Sequence, residues 1–319
     1  MKVLLTGANG QLGSELQATC PADITLLPTD HDTLDITQPQ RVAAWLAEQQ
    51  PAAIINAAAY TAVDKAESDL ERAYAINHLA AATLAREAAQ RGIYLMQVST
   101  DFVFDGLQSS PYLPDALAKP LGVYGASKLA GEQAVLEHYP QACVMRTSWL
   151  YSAYGNNFVK TMLRLMRERD ALGVVADQVG APTWTGTLAD AIWSFIAQQP
   201  HGIFHCSDNG VASWYDFAVA IQEEALAIGL LDKAIPVRPL RTEEYPTPAR
   251  RPAFSVMDKR ATENLLGYAL PHWRASLRRM LVQLKAQYFP VNNPRQTSEH
   301  HLEFTNHIKS WHSSLHHAT

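Results

Sequence analysis

Cysteine is nearly missing from this chain: three in 319 residues, Cys20, Cys143 and Cys206, far apart and odd in number. Such a set makes neither a disulfide framework nor a metal cluster, and buried reduced thiols are the expectation. A basic excess is missing too. Lys and Arg number 26 against 31 Asp and Glu, a formal net charge of -5, so no positive field points to nucleic acid or to an anionic membrane. No run of about 18 apolar residues occurs, which removes a spanning helix. Met1-Lys2-Val3-Leu4-Leu5 enters a strand without the charged and apolar regions of a signal peptide, so the expected location is the cytoplasm. No repeat of solenoid period is found. What remains, 47% hydrophobic and 18% charged residues, suits one large or two medium soluble domains.

What is present has an order. The short apolar strand Lys2–Leu5 runs into Thr6-Gly7-Ala8-Asn9-Gly10-Gln11-Leu12-Gly13, and a helix follows from about Ser14. Glycines at this spacing, between a strand and a helix, allow a tight turn and bring a pyrophosphate close to backbone N–H groups. The turn Gly7, Asn9, Gly10, Gln11, Leu12 and Gly13 is therefore the expected dinucleotide cradle. Asp30 follows the second strand, 23 positions after Gly7. A carboxylate near that distance bonds the adenosine ribose, and it would repel a 2′-phosphate. This favours NADH over NADPH, although no Arg or Lys follows to decide between them. Asp35 and Ile36 come next and are read as an edge of the adenine pocket. Asp35 reads equally well as a turn acid before Thr37-Gln38-Pro39, and both readings stay open.

Ala53–Asn56 is a buried strand that runs into Ala57-Ala58-Ala59, small enough for a cofactor to lie on the backbone, with Tyr60 after them. A helix is expected over Leu70–Gly92, with Asn77 inside it. The strand Tyr94–Val98 ends at Ser99-Thr100-Asp101. Ligands of open α/β sheets sit beyond the carboxyl ends of strands, which is where Thr100 falls. Tyr124 and Lys128 stand four apart on the next helix and share a face. Free Tyr and Lys move protons poorly at neutral pH, and a neighbouring ammonium is expected to lower the Tyr pKa and make it usable.

The alternation of strand and helix predicts an α/β fold, a doubly wound parallel sheet of the Rossmann type with a smaller, irregular C-terminal substrate-binding domain. The dinucleotide-binding domain is expected over residues 1–148, with helices from about 186–227 packing back on it, and the substrate region over residues 149–285. Residues 286–319 form a His-rich tail, with His300, His301, His307, His312, His316 and His317, that is expected to be disordered and is given no function.

Gly7/Gly10/Gly13, Thr100 and Tyr124/Lys128 together are similar to the extended short-chain dehydrogenases/reductases. Longer runs narrow the likeness: Asn56 through Glu67, Ser99 through Gly106, Val123 through Glu132, Arg146 through Tyr151, Gly155 through Phe158, Asp177 through Thr183, and Thr247 through Pro252 with Ser255 and Asp258. Over roughly residues 1–285 the pattern resembles the dTDP-4-dehydrorhamnose reductase family.

The resemblance implies hydride transfer from NADPH or NADH to C4 of dTDP-4-dehydro-L-rhamnose. Tyr124 would supply the proton, Thr100 would bond the same oxygen, and Lys128 would hold the nicotinamide ribose. It also implies cofactor contacts at Tyr60 and Asn77, and substrate contacts at Val63 and Asp101. Trp149 matches an aromatic that packs on the sugar ring, and Asn157, Lys160, Gln178 and Arg251 would hold the nucleotide diphosphate. Some family members bind Mg²⁺ at a dimer contact. Glu15 and Asp190 stand at two matching positions, but the third acid is missing, so no metal is predicted. The expected partner is a nucleotide sugar, with the protein a monomer or homodimer and no nucleic acid or membrane bound. A nucleotide-sugar 4-ketoreductase or epimerase of another substrate is the neighbouring reading. A 4,6-dehydratase is disfavoured because Phe102 follows Asp101 where the related dehydratases carry a Glu. A non-catalytic cofactor-binding subunit, like the regulatory subunit of methionine adenosyltransferase, is the alternative of another class.

Overall fold

Short apolar strands pair in parallel at the centre of the computed structural model of this protein, which describes residues 1–288. Along the chain come β1 (Lys2–Thr6), α1 (Gln11–Ala18), β2 (Thr25–Thr29), α2 (Pro39–Gln49) and β3 (Ala53–Asn56). They are followed by α3 (Val63–Ala66), α4 (Leu70–Tyr74), a π-turn at Ala75–Leu79, and α5 (Ala80–Arg91). Next are β4 (Tyr94–Thr100), α6 (Val123–His138) and β5 (Cys143–Thr147). The remainder is less regular: β6 (Leu150–Tyr151), α7 (Phe158–Glu168), β7 (Leu172–Val175), β8 (Val179–Gly180) and β9 (Thr183–Trp184). Then come α8 (Thr185–Gln198), β10 (Gly202–His205), β11 (Ala212–Ser213), α9 (Trp214–Ala227), β12 (Val237–Leu240), α10 (Arg260–Leu266) and α11 (Trp273–Tyr288).

The main sheet has the order β10-β5-β4-β3-β1-β2, all parallel. Its strands read as continuous apolar runs, such as Val3-Leu4-Leu5 and Ala53-Ile54-Ile55, because helices cover both faces. On one face Leu12 and Leu16 of α1 pack with Leu188, Ile192 and Phe195 of α8. On the other, Val42 and Leu46 of α2 meet Leu84 and Ala88 of α5. After β2 the chain returns past β1 to β3, so the strand order reverses there. A crevice opens at such a switch point, beyond the carboxyl ends of the strands. Its buried polar floor is satisfied: Thr6 Oγ1 donates to Asn56 Oδ1 at 2.6 Å, and Asn56 Nδ2 donates to Gln97 Oε1 at 2.6 Å.

Several elements differ from the sequence expectation. The sixth strand, β10, comes from within the region assigned to substrate binding and pairs with β5. Of the two helices expected to pack back on the sheet, α8 does so. α9 instead buries Phe217 and Ile221 in a separate core with Leu163 of α7 and Leu277 of α11. The helix expected over Leu70–Gly92 is interrupted by the π-turn, which carries Asn77 inward. α11 continues through Tyr288, past the expected start of the tail, and the six tail histidines lie outside the described residues. No helix of the described residues is long and apolar enough to cross a membrane.

Candidate active site

A cavity of about 1080 Å³ begins at the glycine turn, passes the carboxyl ends of β1, β3 and β4, and ends among Trp149, Trp214 and Arg251. At its first end the backbone is drawn very close. Gly7 has φ 72°, and a Cβ on it would stand 2.7 Å from Ala58 N. A Cβ on Gly13 would stand 2.2 Å from the Gly7 carbonyl oxygen and 2.6 Å from that of Ala8. Gly10 caps α1 without a side-chain acceptor, so the first-turn N–H groups are presented to a ligand. Positive N-terminal dipole, open N–H groups and glycine clearance together fit a dinucleotide pyrophosphate. Asn9, Gln11 and Leu12 line the same turn, and Ala57, Ala58 and Ala59 form the opposite wall.

Asp30 lines the cavity at the end of β2. Its Oδ1 accepts the N–H groups of Asp32 at 3.1 Å and Thr33 at 3.0 Å, and the Thr33 hydroxyl at 2.8 Å; Oδ2 accepts the Asn9 amide. The Thr33 N–H and hydroxyl, with the Asn9 amide, hold this carboxyl below the usual range, so it is an anion at neutral pH. Asp35 and Ile36 also line the cavity, and Asp35 accepts the Thr37 N–H at 3.0 Å and hydroxyl at 2.7 Å. The carboxylate is both a turn acid and a wall. Tyr60 and Asn77 stand behind the lining. The Tyr60 hydroxyl donates to Asp69 at 3.1 Å. Asn77 takes the Tyr60 N–H at 2.9 Å and donates to the Tyr60 carbonyl at 3.1 Å and to Ser127 Oγ at 3.0 Å. Asn77, expected as a cofactor contact, instead ties the alanine loop to α6.

In the middle of the cavity Thr100 ends β4, while Tyr124 and Lys128 project from the first turns of α6. Tyr124 and Thr100 line the cavity together, and the Thr100 hydroxyl donates to Asp101 Oδ1 at 3.1 Å. Lys128 Nζ donates to the Val98 carbonyl at 2.7 Å. Desolvation pushes Tyr124 up to about 12, with the nearby Thr100 hydroxyl pulling down and the Asp101 charge adding to the rise. Lys128 is pushed down to about 8 by burial, against the pull of Glu132. The expectation that the ammonium would lower the Tyr pKa is therefore overturned. Desolvation of the phenol dominates, and the charge acting on it is the carboxylate of Asp101. The result is a neutral phenol at pH 7, which is a proton donor. Asp101 itself is raised to about 6 by burial, and its Oδ2 has no hydrogen-bond partner.

At the far end Trp149 has φ 45° and stacks on Trp214, ring centroids 3.6 Å apart and 4° from parallel. Val63 and Arg251 line this end. Arg251 forks onto Asp64 at 3.1 and 2.8 Å and also reaches the Thr247 hydroxyl at 2.5 Å. Three residues expected to hold the diphosphate are turned elsewhere. Asn157 caps α7 through the Lys160 N–H at 3.1 Å and donates to Gln11 Oε1 at 3.0 Å. Lys160 Nζ donates to the Gly155 carbonyl at 2.9 Å, and Gln178 donates to Thr242 at 3.1 Å. The cavity wall instead includes Arg72, Phe158 and Trp214, none of which sequence reasoning found. An exposed helical Arg and two aromatics at helix starts carry no local signal that they share a wall. Glu15 accepts the Thr185 hydroxyl at 2.7 Å, and Asp190 lies on α8 with its carboxyl raised by burial. Among the described residues no group of three or more His, Cys, Asp or Glu is placed to hold a metal.

Comparison with known proteins gives a consistent set. The family model of the RmlD substrate binding domain matches residues 1–286. A dTDP-4-dehydrorhamnose reductase from Aggregatibacter actinomycetemcomitans is 41% identical over 286 residues, covering 87% of this chain and 97% of the relative. A probable dTDP-4,6-dihydroxy-2-methyloxan-3-one 4-ketoreductase from Streptomyces antibioticus is 42% identical over 300 residues, 91% of this chain and 98% of the relative. The crystal structure of a dTDP-4-dehydrorhamnose reductase from Bacillus anthracis in complex with NADP has a TM-score of 0.83 and 39% identity, covering 88% of this chain and 99% of that one.

Proposed function

Because this chain belongs to the RmlD substrate binding domain family, we propose that it reduces the C4 ketone of dTDP-4-dehydro-L-rhamnose to dTDP-L-rhamnose with a nicotinamide dinucleotide. The observation that carries the reading is a neutral, half-buried Tyr124 phenol that lines one cavity with Thr100, Lys128 and the glycine cradle. The nicotinamide supplies the hydride when bound. The ketone oxygen then takes on negative charge, and Tyr124 donates the proton that it needs. Thr100, at the end of β4 in the same cavity, bonds that oxygen as its charge develops. Lys128, fixed by the Val98 carbonyl, holds the ribose hydroxyls. Asp101, whose Oδ2 is buried without a partner beside the cavity, bonds a sugar hydroxyl, Trp149 packs on the sugar ring, and Arg251 faces the diphosphate. The same reading has the enzyme working in the cytoplasm, as a monomer or homodimer, without nucleic acid.

The reading is tested by following NADH and NADPH oxidation with dTDP-4-dehydro-L-rhamnose and identifying the sugar by NMR. Formation of dTDP-L-rhamnose supports it. Oxidation only with a different dTDP-4-keto sugar would move the chain towards the activity named for the Streptomyces relative. Bound cofactor without oxidation of either kind would favour the non-catalytic subunit.

The cofactor preference follows from Asp30. Its carboxylate is fixed as an anion where an adenosine ribose would lie, and a 2′-phosphate there meets like charge, so NADH is favoured while NADPH remains usable. Asp30→Ala is expected to raise kcat/KM for NADPH relative to NADH by roughly tenfold, the size of one like-charge contact. An unchanged ratio would remove Asp30 from cofactor selection. A pH profile gives a further check. Lys128 is an ammonium below about 8 and a neutral amine above it. Since kcat/KM reports free-enzyme ionisations, it is expected to fall as pH rises through that value. A profile flat to pH 10 (about two units beyond the Lys128 value) would show that the ammonium is not required.

A further inference from the structure

One turn beyond Lys128 on α6 stands Glu132. Tyr124, Lys128 and Glu132 recur every four residues and so share one helix face. Glu132 is buried, and a lone carboxylate there would be heavily penalised. Arg146 of β5 balances it: Nε reaches the two carboxylate oxygens at 2.9 and 3.1 Å, and Nη2 reaches Oε2 at 2.6 Å. Arg146 Nη1 donates to the Pro114 carbonyl at 3.1 Å and faces His205 Nε2 at 3.4 Å. His205 is neutral, held down to about 3 by burial and by Arg146.

Charge balance alone would be met by Arg146. The Glu132 carboxylate has one more partner, the Ser99 hydroxyl, which donates to Oε1 at 2.5 Å. Ser99 lies between Val98, whose carbonyl holds Lys128, and Thr100. The two bonds from α6 to β4 therefore grip consecutive residues at the strand end, immediately before Thr100. We propose that Glu132 is a positioning residue of this reductase, its carboxylate locking the helix that carries Tyr124 and Lys128 to the strand end that carries Thr100. The inference rests on the reading of those three residues as the reacting groups. Glu132 touches none of the reacting atoms; it sets the distance between those that do, and misplacement by about 1 Å can lower a rate by about 100-fold.

Ser99→Ala removes the strand-side bond and leaves the buried ion pair whole. It is expected to lower kcat by roughly tenfold, with dinucleotide Kd and Tm close to those of the parent. The primary isotope effect on kcat, measured with cofactor deuterated at the transferred position, should rise because the chemical step has slowed. A second pair of variants keeps the question open to refutation if charge removal disturbs folding. With Arg146→Met in both, Glu132→Gln retains an acceptor for Ser99 and should keep most of the activity, whereas Glu132→Leu should fall to the level of Ser99→Ala. Parent-like kcat and isotope effect in Ser99→Ala, or equal activity in the Gln and Leu variants, would overturn the proposal. Tyr124→Phe in the same assay separates the two layers. If it turns over normally, the catalytic reading fails; if it is inactive while Ser99→Ala is unaffected, only the positioning role fails.

Discussion

Tyr124→Phe is expected to reduce turnover by about 10²- to 10⁴-fold, the range for loss of a positioned general acid, while dinucleotide affinity stays unchanged. The substitution deletes one oxygen and keeps the ring. That ring sits edge-on to Phe102 with centroids 5.5 Å apart, an apolar contact that Phe reproduces. The lost group is a phenol at about 12, protonated throughout the range in which the enzyme would be assayed. Lys128 does not replace it, since its Nζ is held at the Val98 carbonyl at 2.7 Å and its remaining N–H groups serve the ribose in the proposed reading. Steady-state rates paired with a fluorescence titration of NADH test both halves. A variant with parent-like kcat would take Tyr124 out of the mechanism, and one that fails to bind NADH would assign it to the cradle instead.

Gly13→Ala is expected to abolish tight dinucleotide binding, with a loss of about 100-fold or more, and to destabilise the fold by about 1–3 kcal/mol as an overpacked site does. The added Cβ would lie 2.2 Å from the Gly7 oxygen and 2.6 Å from the Ala8 oxygen. Both are backbone atoms of the turn, so no side-chain rotation relieves the clash; the turn must lift off α1. Gly10→Ala is the matched control. Gly10 has φ -77°, an ordinary value, and its Cβ would meet only the Gly7 oxygen, at 3.2 Å. The control should keep its Tm, whatever it does to affinity. Thermal melts and NADH titrations of the two variants give the comparison. Equal Tm and Kd for Gly13→Ala and the parent would mean that the close approach of strand and helix is not needed.

Much of the site was legible in the sequence because its physics is local. The glycine turn is a statement about backbone clearance between adjacent elements, and Gly7, Gly10 and Gly13 lie where a strand hands over to a helix. Thr100 was legible as the last residue of β4, and Tyr124 with Lys128 as one helix face. Asp30 was legible by its distance from the turn, and the cavity it lines also runs along the turn.

Tertiary structure decided what depends on burial and on pairs distant in the chain. The sign of the Tyr124 shift is one case: spacing suggested a helpful ammonium, but desolvation of both groups outweighs their proximity. The use of polar side chains is another. Asn157, Lys160 and Gln178 were read as phosphate ligands, and each has a backbone or hydroxyl partner within its own loop region or across from it. The placement of β10 beside β5, of α9 in the second core and of Trp214 against Trp149 was equally invisible. By itself, then, the sequence determined the order of strands and helices, the glycine cradle and the Tyr–Lys face, since neighbours along the chain set them. The three-dimensional fold alone decided which polar groups face the cavity and how far their proton affinities move, because desolvation and long-range contact exist only once the chain has packed.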